Sequence, residues 1–341
     1  MTWIILLFGF LFGIILRYAK LNRTDVITGN ALLKDFTVIK TLLAAIGVGA
    51  VLLSIEIALG LAGFHAKPFV LGGIVIGGIL FGMGMGILGY CPGTMAISLG
   101  EGALDALFGI LGGLLGGFIF TLVYPTIKPI LGPNYGSISL YSLTQNHPVL
   151  YFILVVVLSA MFVFLAFTLH KAEQKTNTEK KLNHRWLYSG ITLAILNGIV
   201  FLKATTNRPI GASTSYPYVS DFITGLTNNT YFHKVSMPGH WEFIFLAGAF
   251  LSALIFSLLG GSFKLRAVYS VWEKTKGPSV TKRLVWAFIG GFILLLGART
   301  AGGCTSGHIL SGGMQYAVSS LVFGVIVFST FIVTGKLFYK K

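Results

Sequence analysis

Long apolar segments recur along this sequence and limit what it can fold into. Only 10% of the residues are charged, whereas a soluble domain carries about 25% to wet its surface. A helix that crosses a lipid bilayer needs about 20 apolar residues, and a half-length or re-entrant helix needs fewer. We therefore expect an all-α integral membrane protein, with about nine transmembrane helices plus short re-entrant half-helices. The apolar segments lie near residues 3–16, 36–62, 69–89, 103–123, 148–169, 186–202, 240–260, 284–297 and 316–335.

The basic residues are concentrated in alternate connections between these segments. Of the 25 Lys and Arg residues, 19 fall in the connections 17–40, 170–185, 262–283 and 336–341. By the positive-inside rule these connections are cytoplasmic, so nine crossings place the N-terminus outside and the C-terminus in the cytoplasm. The net charge of +15 then reflects topology, and we expect no nucleic-acid partner. The first apolar segment lacks a charged start and a small-residue cleavage site, so we interpret it as a retained helix.

The sequence contains an internal repeat that includes both of its cysteines. Residues 76–100 align without a gap on residues 289–313, and the common offset of 213 places Cys91 on Cys304. A self-similarity of this length that superposes the only two cysteines indicates a duplicated structural unit.

A weaker match extends the repeat towards the N-terminus. It places Asn22 and Arg23 on Asn207 and Arg208. One odd helix, 148–169, separates the two copies, so the second copy enters the membrane from the opposite side and the repeats are inverted. Inverted repeats place binding elements near the bilayer midplane, at broken helices. The predicted organisation is a single membrane domain with a first repeat at 1–125, a linking helix at 148–169 and a second repeat at 186–335.

Each cysteine lies in a glycine-rich turn that favours the start of a half-helix. Pro92 suits the first position of a helix, so Cys91 is predicted to cap a half-helix whose free N–H groups and dipole favour an anion. Cys304 has the same setting. Packing offers an alternative reading, since glycine and free cysteine are common at close helix contacts. A disulfide between the cysteines is a less favoured alternative. The neighbouring candidate residues are Gly93, Thr94, Thr305, Ser306, Gly307 and His308.

The charged residues inside apolar segments are candidates for function. Arg299 lies five residues before Cys304, where an intramembrane cation beside helix N-termini indicates an anionic ligand. The alternative is that Arg299 extends to the outer interface. Glu101 and Asp105 are spaced to lie together at a helix start, and a proton relay is a secondary reading of that pair. Cys304 and His308 are too few to form a closed zinc site, so we expect no metal.

The segments GYCPGT, NRPIGASTSYPY and GARTAGGCTSGH, together with the doubled architecture, resemble the YeeE/YedE family of bacterial inner-membrane proteins, whose characterised members take up thiosulfate. The resemblance covers essentially the whole chain. It implies an hourglass of inverted halves in which Cys91 and Cys304 are the two central thiol stations. Many members carry a further cysteine in the first cytoplasmic loop, where this chain has Asn22 and Arg23. A third thiol station is therefore absent or replaced by a polar group.

Thiosulfate chemistry fits these residues. The dianion needs N–H donors and cations for its oxygens, and a weak, polarisable donor such as a neutral thiol for its terminal sulfur. Two other classes stay open: a transporter of sulfite, sulfide or a selenium oxyanion, and a membrane thiol redox or sulfur-transfer enzyme. The enzyme would need a cofactor motif or a general base beside each thiol, which the sequence does not provide. We therefore expect a non-enzyme without cofactor. The resemblance implies a place in the bacterial inner membrane. A cytoplasmic sulfurtransferase that takes over the anion is a candidate partner, which the sequence leaves open.

Overall fold

The computed structural model describes residues 1–176 and 183–340, and all regular elements in these two ranges are helices. A π-helical segment, Thr305–Gly312, and one 3-10 turn, Gly313–Gln315, precede the last helix. The other helices are α1 (Thr2–Tyr18), α2 (Thr24–Ala31), α3 (Thr37–Ala58), α4 (Leu71–Leu88), α5 (Pro92–Gly100), α6 (Leu104–Ile127), α7 (Leu140–Leu143), α8 (Pro148–Thr176), α9 (Arg185–Phe201), α10 (Ser215–Thr224), α11 (Thr230–Leu259), α12 (Ser270–Lys276), α13 (Val280–Thr300) and α14 (Val318–Phe338).

The fold is that of an all-α membrane protein, as the sequence predicts. Seven spans in the described ranges are long and apolar enough to cross a bilayer, and one of them joins α4 to α5. The two remaining apolar helices, α1 and α9, have 17 residues each, about 25 Å at 1.5 Å per residue. That length falls short of a full hydrocarbon core. The predicted count of nine full crossings is therefore not confirmed.

The connections between helices gather at two ends of the molecule. At one end, Arg17 donates to Ser262 at 3.0 Å and Ser270 donates to Asp25 at 3.1 Å, so the first connection meets the one that follows α11. These are the lysine- and arginine-rich connections. Part of a further basic connection, 170–185, lies outside the described residues.

At the other end, the connections poor in basic residues contact one another. Lys203 donates its Nζ to the carbonyl of Gly60 at 2.9 Å, and Phe69 donates its backbone N–H to the carbonyl of Gly136 at 2.7 Å. The separation of the two groups of connections follows the alternation that the charge pattern predicts.

Helix packing is reciprocal between the two halves of the chain. The helices before the two cysteines, α4 and α13, pack against each other, and a Cβ on Gly297 would lie 2.7 Å from the carbonyl oxygen of Gly77. The other contacts around this pair also occur in matched form. The contact of α1 with α11 corresponds to that of α9 with α3, and the contact of α6 with α13 corresponds to that of α14 with α4. Such an exchange of equivalent contacts is the pattern that two repeats related by a pseudo-two-fold axis produce. The repeat boundaries themselves stay a prediction.

The connection between the predicted apolar segments 186–202 and 240–260 is partly helical in the structure. This segment contains α10 and the first turns of α11, which begins at Thr230 and continues through Pro238. Asn229 caps α11 by accepting the backbone N–H of Phe232 at 2.7 Å. The polar composition of 203–239 gave no indication of these helices. Packing against neighbouring helices stabilises them although the segment itself is not strongly apolar.

Candidate anion site at two cysteine-capped half-helices

The first half-helix, α5, begins at the Cys91 turn. Gly89 ends α4 in the left-handed conformation, with φ +78°, and reverses the chain so that Cys91 becomes the N-cap of α5. Pro92 occupies the first helical position, where its missing N–H costs nothing. Thr94 accepts the backbone N–H of Cys91 at 2.8 Å, and its hydroxyl lies 3.4 Å from the Cys91 sulfur. The thiol therefore lies at the positive end of a helix dipole.

The second half-helix, the π-helical segment Thr305–Gly312, begins at a turn of the same form. Gly302 has φ +78°, and Cys304 is the N-cap residue. The Cys304 sulfur lies 3.2 Å from the hydroxyl of Ser306. Both cysteines are free thiols, and Cys304 is 1% exposed. The predicted caps are thus present at both positions.

One cavity, here called the Cys91 cavity, joins the starts of the two half-helices. It has a volume of about 70 Å³. Apolar side chains such as Phe12, Leu16 and Leu21 form most of its wall. Its polar wall consists of five of the predicted site residues: Cys91, Gly93, Thr94, Thr305 and Ser306.

Tyr216 lies near both cysteine turns. Its hydroxyl donates to the carbonyl of Pro92 at 3.1 Å. Because Tyr216 comes from α10, the second half of the chain contributes to the surroundings of the first cysteine. The two half-helix starts thus line a common cavity.

A second cavity, here called the Cys304 cavity, lies on the other side of the second half-helix. Its volume is about 20 Å³, which corresponds to about one water molecule. It combines cations, hydroxyl groups, glycine backbone and one carboxylate. Its wall includes Lys67, Arg208, Ser213, Thr214, Glu242, Gly303, Cys304 and Gly307.

Lys67 belongs to the connection between α3 and α4, outside the membrane-spanning segments. Burial lowers the pKa of Lys67, and the positive charges of Arg299 and Arg208 act in the same direction, while the negative charge of Glu242 opposes them. A further negative charge beside this ammonium group would favour its protonated form.

Arg299 contacts hydroxyl groups in the wall of the Cys304 cavity. Its guanidinium donates to Tyr231 at 2.8 Å, to Ser213 at 3.2 Å and to Thr214 at 3.1 Å. Each hydroxyl oxygen that accepts from Arg299 keeps its own hydrogen for donation, and Ser213 and Thr214 line the cavity. Arg299 is 8% exposed, so the alternative in which it extends to the outer interface is wrong.

Glu242 is the carboxylate in this otherwise cationic wall. It accepts the backbone N–H of Thr214 at 2.6 Å and pairs with Arg208 at 3.5 Å. The guanidinium of Arg208 also stacks over the ring of Trp241, 4.4 Å from its centroid. Glu242 therefore holds the loop that carries Arg208, Ser213 and Thr214 in place.

A third cavity, here called the basic cavity, opens at the end of the molecule where the lysine- and arginine-rich connections meet. Its volume is about 390 Å³. Asn22 and Arg23, both predicted from the repeat, lie in its wall, together with Arg17, Arg185 and Glu101.

Besides Arg299, which reaches the Cys304 cavity only through its hydroxyl partners, two predicted site residues line none of these three cavities. His308 donates from Nε2 to the carbonyl of Ala301 at 3.0 Å, and its Nδ1 lies 3.1 Å from the hydroxyl of Ser320, so both ring nitrogens have partners within the protein. Asn207 is exposed, and its amide oxygen lies 3.3 Å from the ring nitrogen Nε2 of His65. A direct role of either residue towards an anion stays a prediction.

The expected pairing of Glu101 with Asp105 is wrong. Gly102, with φ +92°, turns the chain between them. Glu101 binds Arg17 at 2.6 Å, whereas Asp105 binds Arg283 at 2.6 Å. Two separate ion pairs replace the expected carboxylate pair and remove the basis for a relay between them.

Sequence reasoning missed Lys67, Ser213, Thr214, Tyr231 and Glu242. The sequence did carry one indication of Lys67. It is the only Lys or Arg residue in the connection 63–68, which comes shortly before the repeated segment 76–100. Glu242 carried a similar signal as an acidic residue inside an apolar helix, which marks a functional site by default.

The fold defines a multi-pass membrane protein in which two half-helices begin at free thiols. Comparison with known proteins identifies the group to which it belongs. A family described as Sulphur transport matches residues 22–333, so the chain belongs to this family. The resemblance to the YeeE/YedE family is confirmed, and the family is one of transporters, which removes the enzyme alternative.

One similar protein is the thiosulfate transporter TsuA of Spirochaeta thermophila. It is 29% identical to this chain over 333 residues, and the alignment covers 94% of each protein. The similarity therefore spans both half-helices and both groups of connections.

Proposed function

We propose that this protein takes up thiosulfate across the bacterial inner membrane, through a path lined by cysteine thiols and helix N-termini. The observation that carries the proposal is that two free thiols cap two half-helices and lie in consecutive cavities. Family membership and the similarity to a thiosulfate transporter support the choice of substrate.

The Cys304 cavity would be the outer station. Lys67, Arg208 and the hydroxyl groups that Arg299 holds would bind the oxygens of the anion, since charge-assisted hydrogen bonds are the strongest available to it. The Cys304 thiol would donate its S–H to the terminal sulfur, as a weak donor to a soft acceptor. A thiolate there would repel a dianion, so the transporting form carries a neutral thiol.

The Cys91 cavity would be the next station. Its wall is mostly apolar, and its polar groups are limited to the cysteine, three hydroxyl side chains and one glycine. An anion is held weakly in such surroundings, and passage requires binding that is weak enough to permit release. Both thiol cavities are small, so the side chains around them would move as the anion passes.

The orientation follows from the charge distribution. The basic connections at one end of the molecule would be cytoplasmic by the positive-inside rule, with the N-terminus outside and the C-terminus inside. The Cys304 cavity would then face outwards and the basic cavity would face the cytoplasm, where a sulfurtransferase could accept the anion. The reciprocal helix packing supports two inverted repeats around the linking helix α8.

The test is growth of a bacterium without its own sulfur uptake systems on thiosulfate as sole sulfur source, together with initial uptake of ³⁵S-thiosulfate. Wild type, Cys91→Ala and Cys304→Ala are compared at equal membrane levels, with Thr192→Ala, an exposed hydroxyl on α9, as control. We expect rescue by wild type and control, and failure of both cysteine variants. Equal rescue by all four would contradict the thiol path. Rescue on sulfite but not on thiosulfate, or uptake of a radiolabelled selenium oxyanion but not of ³⁵S-thiosulfate, would identify a different substrate.

A further inference from the structure

The wall between the Cys91 cavity and the basic cavity is a short stretch of chain at the end of α1. Leu16 and Leu21 line the Cys91 cavity, and the residues that follow each of them, Arg17 and Asn22, line the basic cavity. The segment 16–22 is therefore the partition between the two cavities. An anion that leaves Cys91 towards the basic connections must pass this partition.

Glu101 holds the partition in place from inside the basic cavity. Its Oε1 accepts from Nε of Arg17 at 2.6 Å, and its Oε2 accepts from Nδ2 of Asn22 at 2.9 Å. Both carboxylate oxygens are thus bound to donors of the partition. Ser98, one turn earlier, donates to the backbone carbonyl of Asn22 at 2.5 Å, which fastens the same segment to the first half-helix.

Glu101 is also mechanically connected to the thiol station. It is the C-cap residue of α5, whose N-cap is Cys91. The nine residues of α5 place the two ends about 13 Å apart at 1.5 Å per residue. A movement of the half-helix at Cys91 is therefore transmitted directly to the carboxylate that holds the partition.

The surroundings of Glu101 are those of an anion-binding site. Arg17, Lys20, Arg23 and Arg185 line the same cavity, and Glu101 is the carboxylate among them. A guanidinium and an amide N–H₂ are donors that suit the oxygens of a sulfur oxyanion as well as those of a carboxylate. The side chains of Arg17 and Glu101 are 27% and 23% exposed, so an anion can reach them.

We propose that Arg17 and Asn22 form the exit site for a sulfur oxyanion, and that Glu101 occupies this site and keeps segment 16–22 closed until the departing anion replaces its carboxylate. This proposal rests on the proposed uptake function for the identity of the anion.

The closed partition is tested by the accessibility of Cys91 in the full-length protein. In a Cys304→Ala background, inside-out membrane vesicles are treated with an impermeant sulfonated maleimide and the rate of labelling of Cys91 is measured. Glu101→Ala should raise this rate about tenfold, the factor that corresponds to about 1.4 kcal/mol. Glu273→Ala, which removes an exposed carboxylate from α12, should leave the rate unchanged. Asn22→Ala, which removes one of the two bonds, should give a smaller rise.

Equal labelling rates in the background protein, Glu101→Ala and Asn22→Ala would overturn the proposal. If Glu101→Ala does not fold, Asn22→Ala decides the question alone, because it leaves the Arg17 ion pair intact.

The exit site itself is tested by titration calorimetry with thiosulfate. Glu101→Gln removes the competing charge and should tighten binding about tenfold, and the gain should disappear when Arg17→Gln is added. A gain that survives Arg17→Gln would overturn the site. If no variant binds thiosulfate while the labelling result holds, the substrate of the proposed function is wrong and the closed partition stands.

Discussion

Gly89 and Gly302 have the same backbone φ of +78°, and each lies two residues before a cysteine that caps a half-helix. They are matched residues of the sequence repeat. A left-handed φ at both positions lets the chain reverse sharply after α4 and α13, which only glycine tolerates at low cost. The repeat therefore preserves a backbone turn as well as a thiol.

Alanine at either glycine should lower transport by displacing the cysteine that follows. A left-handed alanine costs roughly 1 to 2 kcal/mol, and at Gly89 the added Cβ would also collide with the side chain of Thr24. We expect Gly89→Ala to lower thiosulfate uptake more than Gly302→Ala, whose Cβ has no neighbour within 4 Å. The initial rate of ³⁵S-thiosulfate uptake at equal protein levels measures this.

Gly132→Ala is the matched control for both variants. Gly132 also has a positive φ, +86°, but it lies in an exposed connection with no atom within 4 Å of its Cβ position. Its replacement should reduce stability by a similar backbone cost and leave uptake unchanged. An equal loss of uptake at all three glycines would indicate general destabilisation and contradict a specific role of the cysteine turns.

The affinity for thiosulfate should fall at alkaline pH because of Lys67. The cationic form binds the anion, burial lowers the Lys67 pKa, and the neighbouring charges of Arg299 and Arg208 lower it further against the opposing charge of Glu242. As the pH rises through this lowered pKa, the proton is lost and with it the attraction. Arginine stays charged throughout this range, so Lys67→Arg should flatten the profile. Dissociation constants measured across pH test the expectation.

Lys203→Arg provides the control for the pH profile. Lys203 lies at the same end of the molecule, where its Nζ donates to the carbonyl of Gly60, and its replacement should leave the alkaline decline in place. An unchanged decline in Lys67→Arg would contradict the role of Lys67.

Arg299 should be replaceable by neither lysine nor glutamine. Its fork reaches Tyr231, Ser213 and Thr214 together, and one ammonium group cannot reproduce that geometry. Arg299→Lys should raise the KM for thiosulfate about tenfold, the loss expected for one or two charge-assisted hydrogen bonds. Tyr231→Phe removes a single bond outside the cavity wall and should have a smaller effect. A KM equal to that of wild type in Arg299→Lys would contradict the role of its hydroxyl partners.

The sequence predicted the cysteine turns well because their signals are local. The glycines and Pro92 determine the backbone within a few residues, so the caps at Cys91 and Cys304 follow from neighbours in the chain. The wall of the Cys304 cavity could not be predicted in the same way. Lys67 and Glu242 come from two different elements, each far from Cys304 in sequence, and only the packing of the helices brings them together.

The acidic residues show why spacing alone was insufficient. Glu101 and Asp105 are four positions apart, about one helical turn, yet α5 ends at Gly100, Gly102 has a positive φ and α6 begins at Leu104. Their partners, Arg17 and Arg283, come from distant helices. The break between the two helices thus decided whether the two carboxylates formed one site or two.

The ion pair of Asp105 and Arg283 should be essential for stability, since it holds the end of α4 beside the Cys91 turn. Arg283 binds the Asp105 carboxylate through Nε at 3.0 Å and Nη2 at 2.6 Å, and donates to the carbonyls of Ile87 and Leu88 at 3.3 and 2.6 Å. Both side chains are at most 1% exposed. Removing one partner leaves a buried charge without compensation, which costs about 3–5 kcal/mol.

A double-mutant cycle separates the cost of an uncompensated buried charge from the interaction free energy of Asp105 with Arg283. Asp105→Asn and Arg283→Met should each lower the midpoint of thermal unfolding in detergent strongly, and the double variant should lose much less than the sum of the two, because no unpaired charge remains. Arg283→Met also removes the donors to Ile87 and Leu88, so uptake should stay reduced in the double variant even where stability recovers. Strict additivity of the two unfolding shifts would mean that Arg283 acts on the α4 carbonyls alone and that Asp105 contributes independently of it.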